Sequence, residues 1–118
     1  VIIDTAIEIH REIGPGLLES VYEAILSKEL EAKGLEVERQ VSVPISYKGD
    51  IFEEGFRIDL FINKKVIIEL KSIENINASH KKQLLTYLRL TETKLGYLLN
   101  FREALLKDGI TRIINGTL

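Results

Sequence analysis

The segment Val66-Ile67-Ile68-Glu69-Leu70-Lys71 constrains this chain more than any other. Three β-branched residues and a leucine in one short run read as a strand covered on both faces, because a strand with one wet face alternates apolar and polar residues. Into that run the sequence sets a glutamate, and burying an unpaired carboxylate is costly. Val66, Ile68 and Leu70 would face one way, and Ile67, Glu69 and Lys71 the other. Asn63-Lys64-Lys65 reads as a tight turn from a preceding strand, on which Phe56, Ile58, Leu60 and Ile62 share one face and Arg57, Asp59 and Phe61 the other. The hairpin sets Asp59 and Glu69 on adjacent strands, with Lys71 about 6 to 7 Å beyond Glu69 on the same face. Three ionisable groups would converge.

The other elements follow from periodicity and punctuation. Ile2, Ala6, Ile9 and Ile13 recur at helical steps and are stopped by Gly14-Pro15-Gly16. A second helix is predicted from about Leu17 to Lys33, with Leu18, Val21, Tyr22, Ile25, Leu26 and Leu30 on its apolar face and Gly34 closing it. Leu35 to Arg39 and Val41 to Tyr47 read as two short strands, and Lys48-Gly49-Asp50 as the turn into Ile51. A third helix is predicted from about Asn77 to Thr91, with Asn77 or Ser79 as its cap. Lys94 to Phe101 is an apolar strand, and residues 110 to 114 add a short last one. The order α-α-β-β-β-β-α-β-β implies an α/β fold with helices packed on a mixed β-sheet. A crossover helix joins the Val66 and Leu95 strands, which are therefore expected to be parallel.

With 118 residues the chain has room for one ordinary core, so a single domain over residues 1–118 is expected. Its formal charge of -2 excludes a cationic surface over the whole molecule, though not a local basic patch. Cysteine is absent, which excludes thiolate zinc sites, disulfides and a cysteine nucleophile, and favours a cytoplasmic setting. The apolar runs are too short to span a bilayer, so no membrane partner is expected. The chain begins at Val1 rather than Met, and is expected to be a trimmed piece of a longer product.

Two carboxylates supply the hard oxygen ligands that Mg²⁺ or Mn²⁺ requires, and a neighbouring lysine can orient a water and stabilise charge on a phosphoryl oxygen. That combination suits phosphodiester hydrolysis. A pair of cross-strand salt bridges on a surface strand is the plainer alternative, and the residues alone leave both open. Glu19 falls at the edge of the second helix's apolar face, where it is either a further acid aimed along the sheet or a boundary glutamate favoured by the helix dipole. His80, Gln83 and Tyr87 share one side of the third helix and could meet a phosphate, a base edge or a water. His80 is otherwise a cap or an exposed residue, and Tyr87 otherwise core with a hydrogen-bonded hydroxyl. Lys81 and Lys82, with Arg57, Lys64 and Lys65, are candidates for backbone-phosphate contact. No phosphate-binding P-loop, dinucleotide glycine pattern or G-x-S-x-G elbow occurs.

Asp59 followed by Glu69-Leu70-Lys71 resembles the Asp…Glu-x-Lys signature of the PD-(D/E)XK nuclease superfamily. Gly16-Leu17-Leu18-Glu19-Ser20-Val21-Tyr22 is similar to the pattern that gives the GxxExxY family its name, and His80, Gln83, Leu84 and Tyr87 resemble that family's third block. Ile58 stands where the superfamily often has proline, a departure that removes no ligand. The resemblance implies a restriction-endonuclease-like core, and a Mg²⁺ or Mn²⁺ held by Asp59, Glu69 and the Leu70 carbonyl, with Glu19 as an additional acid. It implies Lys71 as the catalytic lysine, Gln83 as a polar helper, and metal-assisted hydrolysis of DNA or RNA. A binding module for nucleic acid or protein, keeping the fold without turnover, is the alternative. The small size implies a homodimer or a protein partner to complete recognition.

Overall fold

Two amphipathic helices come first. The computed structural model describes residues 1–117, without the side chain of Glu54, and shows α1 over Ile2–Ile13 and α2 over Glu19–Ala32. Leu118, the last residue of the expected domain, lies outside the described residues. Gly34, at φ 88°, closes α2, and the Leu35 N–H donates back to the Leu30 carbonyl at 3.1 Å, the long bond of a Schellman turn. Among the described residues no helix is long and apolar enough to cross a membrane.

Five strands follow: β1 (Val37–Tyr47), β2 (Asp50–Ile62), β3 (Val66–Lys71), β4 (Leu95–Asn100) and β5 (Ile110–Ile114), with α3 (Ala78–Leu90) between β3 and β4. They form one sheet in the order β1-β2-β3-β4-β5. Every neighbouring pair is antiparallel except β3 and β4, which run parallel because α3 carries the chain back across the sheet. This is the expected α/β fold, a mixed sheet flanked by helices, consistent with a restriction-endonuclease-like core. Its α1 and α2 pack with Leu60, Ile62, Ile68 and Leu70 on one face, and α3 packs through Leu84 and Leu88 on Ile58, Ile67 and Leu98 on the other. Gly96 lets α3 lie close, since a Cβ there would come within 3.1 Å of a Leu84 methyl and 3.2 Å of a Leu88 methyl.

Two features differ from the pattern read in the sequence. The stretches before and after Gln40 are one strand, interrupted at Gln40 by a backbone turned to φ 50°. And the alternation that would put Phe56, Ile58, Leu60 and Ile62 on one face does not hold across Asp59. Phe56 and Ile58 pack on the α3 side, whereas Leu60 and Ile62 pack on the α1/α2 side. Strand β1 reverses at the same level, with Val37 on the α1/α2 side and Val41 and Val43 on the α3 side. A regular strand cannot do this, because its side chains alternate with period two. Gln40 and Asp59 fall between the facing pairs Arg39–Leu60 and Val41–Ile58, so both strands change faces where they meet.

Strand β2 is paired with β3 only over Leu60–Ile62. Its remainder is bonded to β1 alone, so the hairpin runs on past the sheet as a two-stranded ribbon with Tyr47, Ile51 and Phe52 exposed near its tip.

Candidate active site

Asp59 sits where β2 parts from β3. The ladder stops at Leu60–Ile68, and side chains take over its hydrogen bonds. The Asp59 N–H donates to Glu69 Oε2 at 2.9 Å, and the Leu70 N–H donates to Asp59 Oδ2 at 2.9 Å. Each carboxylate thus replaces a lost backbone partner of the other strand, which fixes both side chains at one level.

Glu69 is buried to 5% exposure, and its carboxyl is pushed up to about 8. Desolvation is the largest cause and the Asp59 charge the next. The Asp59 N–H and the Lys71 charge pull the other way, and Glu23 adds further repulsion. Lys71 is half-buried at the end of β3. Tyr87 stacks on Phe56 with ring centroids 4.1 Å apart, and its phenol is pushed up by burial and by the charges of Glu69 and Asp59, which puts it within their field. Asp59 and Glu69 are therefore held together, and Lys71 and Tyr87 lie within reach of their charge.

Glu19 reaches the end of the same strand by another route. The buried Tyr22 hydroxyl donates to the Gly14 carbonyl and accepts the Leu17 N–H at 3.3 Å, while its ring stacks on Phe101 at 4.3 Å. These contacts tie the α1–α2 connection to the first turn of α2, from which Glu19 Oε1 accepts the Ser72 N–H at 3.2 Å. The Tyr22 hydroxyl thus anchors the loop before α2 through Gly14 and Leu17, and Glu19 carries one carboxylate to the end of β3 at Ser72.

A second acid, Glu23, escaped the sequence reading. It is buried to 5% exposure and accepts from Gln40 Nε2 at 2.6 Å and from Arg39 Nε at 3.2 Å. The same Gln40 nitrogen reaches Asp59 Oδ1 at 3.3 Å. A signal was present: Glu23 shares the buried stripe of Tyr22, Leu26 and Leu30, where a glutamate is out of place.

On α3, His80 closes a capping box, its N–H donating to Asn77 Oδ1 at 3.2 Å and its Nδ1 accepting the Asn77 N–H at 3.1 Å. Of the two candidate caps, Asn77 is the one used. Gln83, Lys81 and Lys82 are exposed on the same helix. Arg57 is exposed and borders a shallow groove with Ser42, Glu53 and Phe56. Lys64 and Lys65 occupy the turn at the opposite end of β3 from Glu69.

Among the described residues, no three His, Cys, Asp or Glu side chains are gathered as a metal-holding group. A protein cage of Asp59, Glu69 and Glu19 is not what the structure shows. The oxygen donors that the structure holds together are fewer, the carboxylates of Asp59 and Glu69. Mg²⁺ commonly takes one or two carboxylates and keeps several waters. The raised Glu69 carboxyl points the same way, because two carboxylates crowded out of water call for a positive charge, and a proton or a divalent cation can supply it.

The profile of the PD-(D/E)XK nuclease superfamily matches residues 1–113, and the chain belongs to that superfamily. No curated protein matches it. Among solved structures, the crystal structure of SSO0001 is similar, with 26% identity and a TM-score of 0.47 over 86% of this chain. The chain spans about half, 54%, of that structure's length.

Proposed function

We propose that this chain is a Mg²⁺- or Mn²⁺-dependent nuclease of the GxxExxY kind, hydrolysing phosphodiester bonds of DNA or RNA in the cytoplasm. The observation that carries the reading is the reciprocal bonding of Asp59 and Glu69, which holds two carboxylates together beside Lys71 where β2 leaves β3. Asp59, Glu69 and the Leu70 carbonyl would hold the cation. When bound, such a cation lowers the pKa of a water and offsets charge developing on the phosphoryl group. Lys71 orients the attacking water and faces the charge that builds on the phosphate oxygens. Glu19, bonded at Ser72, is the further acid on the Lys71 side of the site. Gln83 is the polar helper on α3, and Arg57, His80, Lys81, Lys82 and Tyr87 are the candidate contacts to nucleic acid. A second copy or another protein is the further partner in recognition.

The test is a cleavage screen of purified protein on single-stranded, duplex, branched and RNA substrates with Mn²⁺, with Glu69→Ala as the contamination control. Cleavage lost in the control supports the reading, and tight binding without cleavage favours the silent module. Calorimetric titration of Mn²⁺ into wild type and Asp59→Ala checks the ligand pair directly. Equal affinity in the two proteins would remove Asp59 from the site.

A further inference from the structure

Arg39 and Gln40 are neighbours in one strand, yet both side chains reach the same carboxylate. Arg39 Nε donates to Glu23 Oε2 at 3.2 Å, and Gln40 Nε2 donates to Glu23 Oε1 at 2.6 Å. In a regular strand adjacent side chains point to opposite faces. The left-handed backbone of Gln40, at φ 50°, breaks that alternation and brings its side chain round beside that of Arg39. A glutamine gains nothing from this conformation by itself, since it favours the region far less than glycine or asparagine does. Such strain persists where the surroundings require it.

What the surroundings require here is a bridge. Glu23 and Asp59 are carboxylates and, when ionised, accept only, so the amide must turn its nitrogen toward both. Its two N–H groups suit two acceptors: Glu23 Oε1 at 2.6 Å and Asp59 Oδ1 at 3.3 Å. Glu23 is anchored from behind by the half-exposed Arg39 and lies on the buried stripe of α2. Asp59 is thereby held at both oxygens, Oδ1 by Gln40 and Oδ2 by the Leu70 N–H.

We propose that Gln40 is a positioning residue, whose amide ties the Asp59 carboxylate to Glu23 and so sets the orientation in which Asp59 serves the site. Its role toward a cation rests on the reading of Asp59 and Glu69 as the ligand pair. Its role toward Asp59 itself does not.

The experiment uses Gln40→Gly, which relaxes the backbone and removes the amide. It also uses Gln40→Asn, which suits the backbone but carries its amide one methylene short. Two measurements are made on each, amide hydrogen exchange without metal and Mn²⁺ affinity by calorimetry. Release of Asp59 is expected to speed exchange at Leu70 about tenfold relative to Ile68, two residues earlier in β3. Mn²⁺ affinity is expected to fall about tenfold or more, as when an outer partner of a metal ligand is lost. A purely structural role for Gln40 would raise exchange at Leu70 and Ile68 alike, and that result in both variants overturns the proposal. Wild type that binds no Mn²⁺ overturns the cation reading, while the Leu70 exchange still decides whether Gln40 holds Asp59.

Discussion

Asp59 and Glu69 each accept a backbone N–H from the other's strand: Glu69 takes that of Asp59 itself, and Asp59 takes that of Leu70, both at 2.9 Å. Neither carboxylate can leave without orphaning a backbone donor in the middle of the sheet. The pair is therefore held by the fold, and its electrostatic cost has consequences that can be measured.

The first is pH-dependent stability. Glu69 keeps its proton to about pH 8 in the folded chain, against 4.5 for an unperturbed carboxyl. Between those values the folded state binds more protons than the unfolded one. The stability from this group is thus full below about pH 4.5 and drains away as pH rises through about 8. Urea unfolding across that window should show wild type losing on the order of a few kcal/mol relative to Glu69→Gln. Parallel pH profiles for the two proteins would contradict this origin.

The second concerns protons released by the cation. If Mn²⁺ takes the place of the Glu69 proton, binding near neutral pH should liberate about one proton, and the number should decline above about pH 8. Calorimetry in buffers of different ionisation enthalpy reads this number, and binding with no proton release at neutral pH would put the cation elsewhere.

Lys71 is the subject of the third. Since its proposed work is at the water and the phosphate, Lys71→Ala should lower kcat by about a hundredfold or more while Mn²⁺ affinity changes little. A loss of affinity matching the loss of rate would make Lys71 a support for Glu69 instead.

Tyr22 offers the fourth. Tyr22→Phe keeps the stack on Phe101 but leaves the Gly14 carbonyl and the Leu17 N–H without their shared partner. A loss of about 1–2 kcal/mol in denaturant unfolding is expected. Stability equal to wild type would show that water replaces the hydroxyl at no cost.

The fifth tests the close approach of α3. Gly96→Val pushes carbon into the methyls of Leu84 and Leu88, and should cost about 1–3 kcal/mol. Because Tyr87 lies between those residues on α3, its stack on Phe56 should loosen as well, visible as a change in near-ultraviolet circular dichroism.

The nearness of Asp59 to Glu69 was legible because strand periodicity and a short turn place both in one hairpin, where their carboxylates bond across the strands. The crossover α3, the parallel β3–β4 pair and the turn at Lys48-Gly49 were legible for similarly local reasons. What the sequence hid is the reversal of faces at Gln40 and Asp59. Glutamine is a poor marker for a left-handed backbone, and nothing local announces one there. With alternation carried straight through, Phe56 and Ile58 fall on the wrong side, and Gln40 points away from Glu23. Glu23 itself was overlooked for a different reason. Its place on the buried stripe is a faint mark, and its partners Arg39 and Gln40 are distant in sequence.

The ribbon beyond Asp59 has a second anchor before its free end: Phe56 stacks on Tyr87, and Val41, Val43 and Ile58 pack with Leu84 and Leu88, so α3 clamps its base. Bonded to β1 alone, it is free of β3 from its tip down to the level of Asp59 and Gln40. A two-stranded ribbon has little stability of its own, so it bends most easily past that clamp, where its pairing register shifts between Val43 and Ile45. Whatever grips Tyr47, Ile51 or Phe52 at the far end therefore meets the Phe56–Tyr87 stack before it meets the carboxylates.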